Sequence, residues 1–130
     1  ETGLGIIPDA GAVRLPRVLP PLVANEVLYG GRRLNAREAE RWGLINRVVA
    51  AGDLMDEAWA LAHRIAAAAP LAVEAIMAVN RATLGRSMDE AFAHLRSGDL
   101  VAYERMLVSD DAQEGPRAFI EKREPRWQGR

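Results

Sequence analysis

The sixteen residues Glu1–Pro16, ETGLGIIPDAGAVRLP, decide how the rest of the chain is read. A carboxylate opens the stretch. An apolar segment with interleaved glycines follows, Gly3-Leu4-Gly5-Ile6-Ile7, and Pro8 stops it. Asp9-Ala10-Gly11 then leads into Ala12-Val13-Arg14-Leu15. The pattern predicts a short strand or extended arm, a tight turn, and the start of a helix. Glycine permits the backbone angles of such a turn and lets another backbone or a ligand come close. A carboxylate at the mouth of the turn is placed for acid–base chemistry where its surroundings hold its pKa near the working pH. The alternative for Glu1 is a solvated terminal carboxylate.

Composition narrows the setting. The chain has 130 residues, 49% of them hydrophobic, which is enough for one domain with a modest core. Seventeen Lys and Arg against eighteen Asp and Glu leave a net charge of −1, which argues against broad attraction to nucleic acid or an anionic membrane. Cysteine is absent, so disulfides and thiolate-ligated metals are excluded. Two separated histidines, His63 and His94, do not make a histidine-rich metal site. No apolar run approaches the roughly 20 residues that span a bilayer, and no signal peptide is visible. A cytoplasmic protein is the expectation.

Downstream, periodicity and punctuation place the elements. Val13–Leu19 reads as a short helix stopped by Pro20-Pro21, and Leu22, Val23, Val27 and Leu28 share one face of a helix ended by Gly30-Gly31. Asn35 and Glu38 have the spacing of a capping box, opening a brief helix from Ala36 to Trp42 that Gly43 closes. Leu44–Val49 is apolar and β-branched enough for a strand. From Asp53 on, helical spacing takes over: Leu54, Ala58, Leu61 and Ile65 form one stripe, with Pro70 as its stop. Val73, Ile76, Met77 and Leu84 mark a second helix, and Ser87 with Glu90 caps a third. Asp110 and Gln113 predict a further short helix, and Pro116 begins or kinks the last one, through Phe119 to Arg123. The tail 124–130 is polar except for Trp127. Trp42 and Trp59 read as packing residues, and His63, off the apolar stripe, as a surface residue.

Taken together, Glu1, Leu4-Gly5, Ile7-Pro8, Ala10-Gly11 and Arg14-Leu15 resemble the glutamate-to-glycine-turn segment of the crotonase superfamily, which includes the enoyl-CoA hydratases. Further matches follow in order: Gly31-Arg32-Arg33, Ala36, Glu38-Ala39, Trp42-Gly43-Leu44, Asn46-Arg47-Val48-Val49, Ala118-Phe119 and Glu121-Lys122-Arg123. The order helix, extended segment, short helix, strand reads as an α/β fold class, and the resemblance implies the same. Residues 1–52 would be the C-terminal part of a crotonase-like ββα spiral, and residues 53–130 a helical oligomerisation region assembling homotrimers or hexamers. Members of the superfamily are longer, with most of the sheet in their first half. The chain is therefore expected to be a C-terminal half whose N-terminal half is missing.

The implied activity is reversible syn hydration of a short 2-enoyl-CoA. Glu1 matches the glutamate that exchanges the proton at Cα, one of two carboxylates that such chemistry needs on one face of the substrate. The second carboxylate, and the backbone N–H pair that stabilises the thioester enolate, would lie in the missing half, leaving this chain inert alone. Asp9 and Gly11 match the turn that shapes the acyl pocket; Asp9 also reads as a turn residue capping the next helix. Asp9 with Leu19-Pro20-Pro21, Arg96-Ser97-Gly98, Ser109 and Glu114-Gly115-Pro116 resembles the branch that interconverts carnitinyl-CoA and crotonobetainyl-CoA. Phe119 and Lys122 match positions that approach the coenzyme A of a neighbouring subunit, where a lysine suits a phosphate. Their plainer reading is a packing aromatic and a solvated lysine; Arg32, Arg33 and Arg37 could also meet phosphates. No metal or redox cofactor is implied, coenzyme A entering only as part of the acyl-CoA substrate. The chain departs from the pattern by one residue fewer between Gly11 and Arg14, which rotates the following helix by about a quarter turn unless the loop absorbs it. A general enoyl-CoA hydratase or isomerase is an alternative, and so is a non-catalytic assembly module.

Overall fold

Cap and turn chemistry sets the element boundaries. In the computed structural model, which describes residues 1–130, the eight helices are α1 (Asp9–Val18), α2 (Pro21–Gly30), α3 (Ala36–Arg41), α4 (Leu54–Ala66), α5 (Pro70–Thr83), α6 (Met88–Leu95), α7 (Val101–Leu107) and α8 (Asp110–Glu121). Short 3-10 turns occupy Thr2–Leu4 and Ala51–Asp53. Pro21 and Pro70 stand at the first positions of α2 and α5, where a missing N–H costs nothing. Both expected capping boxes form. Asn35 Oδ1 accepts from the Glu38 N–H at 2.9 Å while the Asn35 N–H donates to Glu38 Oε2 at 3.0 Å. Ser87 and Glu90 make the same reciprocal pair. At the end of α2, Gly31 takes φ 65°, a left-handed angle that a Cβ would strain.

The α/β expectation is overturned: every regular element is helical and no strand is present. A strand needs a neighbour to take up its backbone N–H and C=O groups, and these residues supply none to each other. The expected arm over Gly3–Ile7 instead begins as a 3-10 turn, with the Leu4 N–H on the Glu1 carbonyl at 2.9 Å and Gly5 at φ 77°. Leu44–Val49 finds its partners locally. The Leu44 N–H donates to the Ala39 carbonyl at 2.8 Å and the Val48 N–H to Glu40 Oε1 at 2.8 Å. Three smaller differences follow the same physics. α1 begins at Asp9 and runs through Pro16, Pro70 opens α5 instead of closing α4, and α8 is one helix with Pro116 inside it.

The chain divides into two compact units, 1–54 and 55–130. In the first, Leu19, Val23 and Ala24 form the buried cluster, flanked by Leu15, Leu34 and Trp42. In the second, α5 packs chiefly on α7 and also on α6, burying Leu71 and Ala75, while α8 buries Ala118. No single helix is long and apolar enough to cross a membrane.

Candidate active site

The candidate residues Glu1, Asp9 and Gly11 belong to the first unit, Phe119 and Lys122 to the second. Glu1 stands at the start of the first 3-10 turn, where its carbonyl accepts from Leu4 and Ile6. Its side chain is exposed and makes no capping bond. Ile6 and Ile7 beside it are exposed as well. Asp9 occupies the first turn of α1, Pro8 taking the cap position, so Asp9 opposes the positive helix end without closing the cap itself. Gly11 is the tight point. A Cβ there would lie 3.2 Å from Pro8 Cβ, so the bare glycine lets Pro8 close on α1, while Leu28 Cδ2 at 3.8 Å would be an ordinary contact.

The first unit also settles one of the three arginines offered for phosphate. Arg32 pairs with Glu26 and donates to Glu38 Oε1 at 2.6 Å. The Asn35 N–H first, and then Arg32, hold the Glu38 carboxyl below its ordinary range, and the two carboxylates raise the guanidinium in turn. Arg32 is thus committed within the fold, whereas Arg33 and Arg37 are exposed.

In the second unit the end of α8 carries the remaining candidates. Phe119 is 85% exposed, so it packs on little within this chain. Lys122, also exposed, closes α8 in the left-handed region with φ 52°. Next to it, Arg123 makes a fork on Glu114, Nη1 to Oε1 at 2.5 Å and Nη2 to Oε2 at 2.9 Å, and its Nε donates to Glu121 at 2.6 Å. Glu114 accepts the Arg126 N–H as well, at 2.8 Å. With Arg123 as the larger cause, these bonds hold the Glu114 carboxyl at about 2. The tail continues back along the unit. Trp127 Nε1 donates to the Ala67 carbonyl at 2.9 Å, and the Gln128 and Gly129 N–H groups fall on Asp111. Sequence reasoning missed this strap of Asp111, Glu114 and Arg123. Its one visible signal was a lone tryptophan in a polar tail.

Apolar hollows lie elsewhere in each unit. One of about 350 Å³ sits between α5, α6 and α7, against Ile76, Val79, Leu95, Tyr103 and Met106. Another, of about 200 Å³, lies in the first unit beside Ile45, Val48, Val49 and Leu54. None of Glu1, Asp9, Gly11, Phe119 and Lys122 lines either hollow. No group of three His, Cys, Asp or Glu side chains is gathered to hold a metal.

Compared with known proteins, the chain matches the enoyl-CoA hydratase/isomerase family model over residues 1–130. The chain belongs to this family. It is similar to the carnitinyl-CoA dehydratase of Proteus mirabilis (strain HI4320), at 56% identity over 131 aligned positions that take in 100% of this chain and 50% of that protein. The carnitinyl-CoA dehydratase of Salmonella paratyphi A is 50% identical over the same share of each. Among solved structures, the Bacillus anthracis enoyl-CoA hydratase superposes with a TM-score of 0.89 at 35% identity, over 99% of this chain and 49% of that one. An enoyl-CoA hydratase/isomerase of Mycobacterium abscessus gives 0.87 at 37% identity, over 100% and 52%. The chain thus spans about half the length of the curated relatives it matches, and that half is C-terminal. The dehydratase alignments run one position longer than the chain itself.

Proposed function

We propose that these residues are the C-terminal half of a crotonase-type hydratase/dehydratase that interconverts carnitinyl-CoA and crotonobetainyl-CoA. The observation that carries this reading is identity of 50% to 56% with carnitinyl-CoA dehydratases across the whole chain, against 35% to 37% with the two solved hydratases. In dehydration the Glu1 carboxylate takes a proton from Cα, which is acidified by the thioester. The electron pair left behind forms the Cα–Cβ double bond as hydroxide departs from Cβ, and a second carboxylate supplies the proton that makes it water. Hydration is the reverse, with Glu1 returning its proton to Cα. That second carboxylate and the N–H pair for the enolate oxygen come from the part of the relatives that this chain does not span, so the chain alone is expected to be inert.

Asp9 and Gly11 shape the acyl end of the pocket in this reading, and Phe119 and Lys122 meet the coenzyme A end. The exposed apolar side chains of the helices over 54–130, Leu54, Trp59, Val101 and Phe119 among them, support their burial against other polypeptide; the reading makes this a homotrimer or hexamer and places the enzyme in the cytoplasm. A general 2-enoyl-CoA hydratase or isomerase is the second reading, favoured by the breadth of the family model and by the solved hydratases. Assaying the complete enzyme with crotonobetainyl-CoA and crotonyl-CoA separates the two. A clear preference in kcat/KM for the trimethylammonium substrate is expected; equal or greater activity on crotonyl-CoA supports the second reading.

A further inference from the structure

We infer that Glu114 and Arg123 are positioning residues, which fix the corner after α8 so that Lys122 is presented outward to the phosphates of a coenzyme A thioester. The inference rests on the assignment of Lys122 to coenzyme A recognition made above. Lys122 is the one non-glycine residue of the chain at positive φ. Side chains of its kind avoid this region, so something must hold the backbone there. Backbone bonds contribute, the Lys122 N–H being shared between the Ala118 and Phe119 carbonyls. The Lys122 N–H donates to the Phe119 carbonyl at 3.3 Å and the Arg123 N–H to the Ala118 carbonyl at 3.1 Å. These close the helix end in the left-handed conformation, and side chains then tie the departing tail to it.

Arg123 provides that tie. Its planar guanidinium reaches back two turns along α8 to both oxygens of Glu114, takes Glu121 on Nε, and closes on the Glu124 carbonyl at 3.1 Å. A bidentate guanidinium–carboxylate pair constrains orientation as well as distance. Glu114 is shielded, its side chain 15% exposed, and by also accepting the Arg126 N–H it ties the departing tail to the same carboxylate. The charges sort themselves accordingly. Arg123 is neutralised between two glutamates, while Lys122 makes no ion pair and faces solvent. The corner therefore carries one cation aimed outward on a backbone that its neighbour locks.

The test compares KM in the complete enzyme for the coenzyme A thioester with KM for the matching pantetheine thioester, which lacks the nucleotide and its phosphates. Lys122→Ala is expected to raise KM for the coenzyme A ester about tenfold, the worth of one charge-assisted contact, with kcat and the pantetheine ester little changed. Arg123→Ala should reproduce that selective rise although the lysine is still there. Arg123→Lys, which keeps charge but not the fork, should recover only part of it. If Arg123→Ala does not fold, Glu114→Gln serves in its place. A rise in KM equal for both esters, or none while Lys122→Ala keeps its selective effect, overturns the positioning role and leaves the coenzyme A assignment standing. No selective effect from Lys122→Ala overturns that assignment, and the inference with it.

Discussion

Asp111 is 4% exposed, and its two oxygens are both used: one accepts the Gln128 N–H at 2.7 Å, the other the Gly129 N–H at 2.9 Å. A buried carboxylate is tolerated because donors surround it. Asp111→Asn turns one acceptor into a donor facing an N–H, and should destabilise the second unit by about 1–3 kcal/mol. Thermal unfolding followed through Trp127 fluorescence, with Trp42 and Trp59 replaced by Phe, reads this. Glu114 adds a pH dependence with a definite sign. Its folded pKa of about 2 lies below the ordinary 4.5, so its contribution is complete above 4.5 and disappears as pH falls through about 2. Acid titration of the tail signal should therefore lose in Glu114→Gln the part of its slope that wild type shows between those values. Unchanged titration would mean that the fork does not hold the tail. Beyond the lone Trp127 in a polar tail, none of this was legible in the sequence. The partners are separated by up to eighteen residues, and nothing local marks an aspartate in a first helical turn as the anchor of a distant tail. Glu1 was picked out only through its motif, because an exposed carboxylate carries no physical mark of its own.

Helix ends were the most readable elements. Asn35 with Glu38 and Ser87 with Glu90 were recognisable because a capping box is complete within four residues, and both form. Strand status was unreadable for the opposite reason. Leu44–Val49 has strand composition, but a strand is defined by its neighbour, and within these residues its N–H groups turn to Ala39 and Glu40. Two glycines test the local account from opposite sides. Gly31→Ala places a Cβ at φ 65° and should cost about 1 kcal/mol. Gly115→Ala lies inside α8, where the new methyl would meet the Trp127 ring at 3.4 Å. It should stabilise by about 0.5–1 kcal/mol, the ordinary gain of alanine over glycine in a helix. Denaturant melts that ranked the two in the reverse order would contradict the assigned backbone angles.

Across the whole molecule, apolar surface is under-buried. The buried hydrophobic set is small and contains no large side chain that is completely enclosed, while Leu22, Val101, Val108, Phe119 and Ile120 stand exposed. In the proposed reading, other polypeptide covers these side chains. The isolated 130-residue chain should bind a hydrophobic dye and show by light scattering a mass above its own 14.2 kDa. A dye-silent, sharply melting monomer would mean that the helices need no cover. In the proposed dehydratase the chemistry reduces to one proton. Hydrating crotonobetainyl-CoA in deuterium oxide with the complete enzyme labels Cα through whichever group delivers the deuteron. With Glu1→Gln, the rate of Cα labelling is expected to fall by at least about a hundredfold, the usual weight of a general acid–base group; labelling at the wild-type rate would contradict the role given to Glu1.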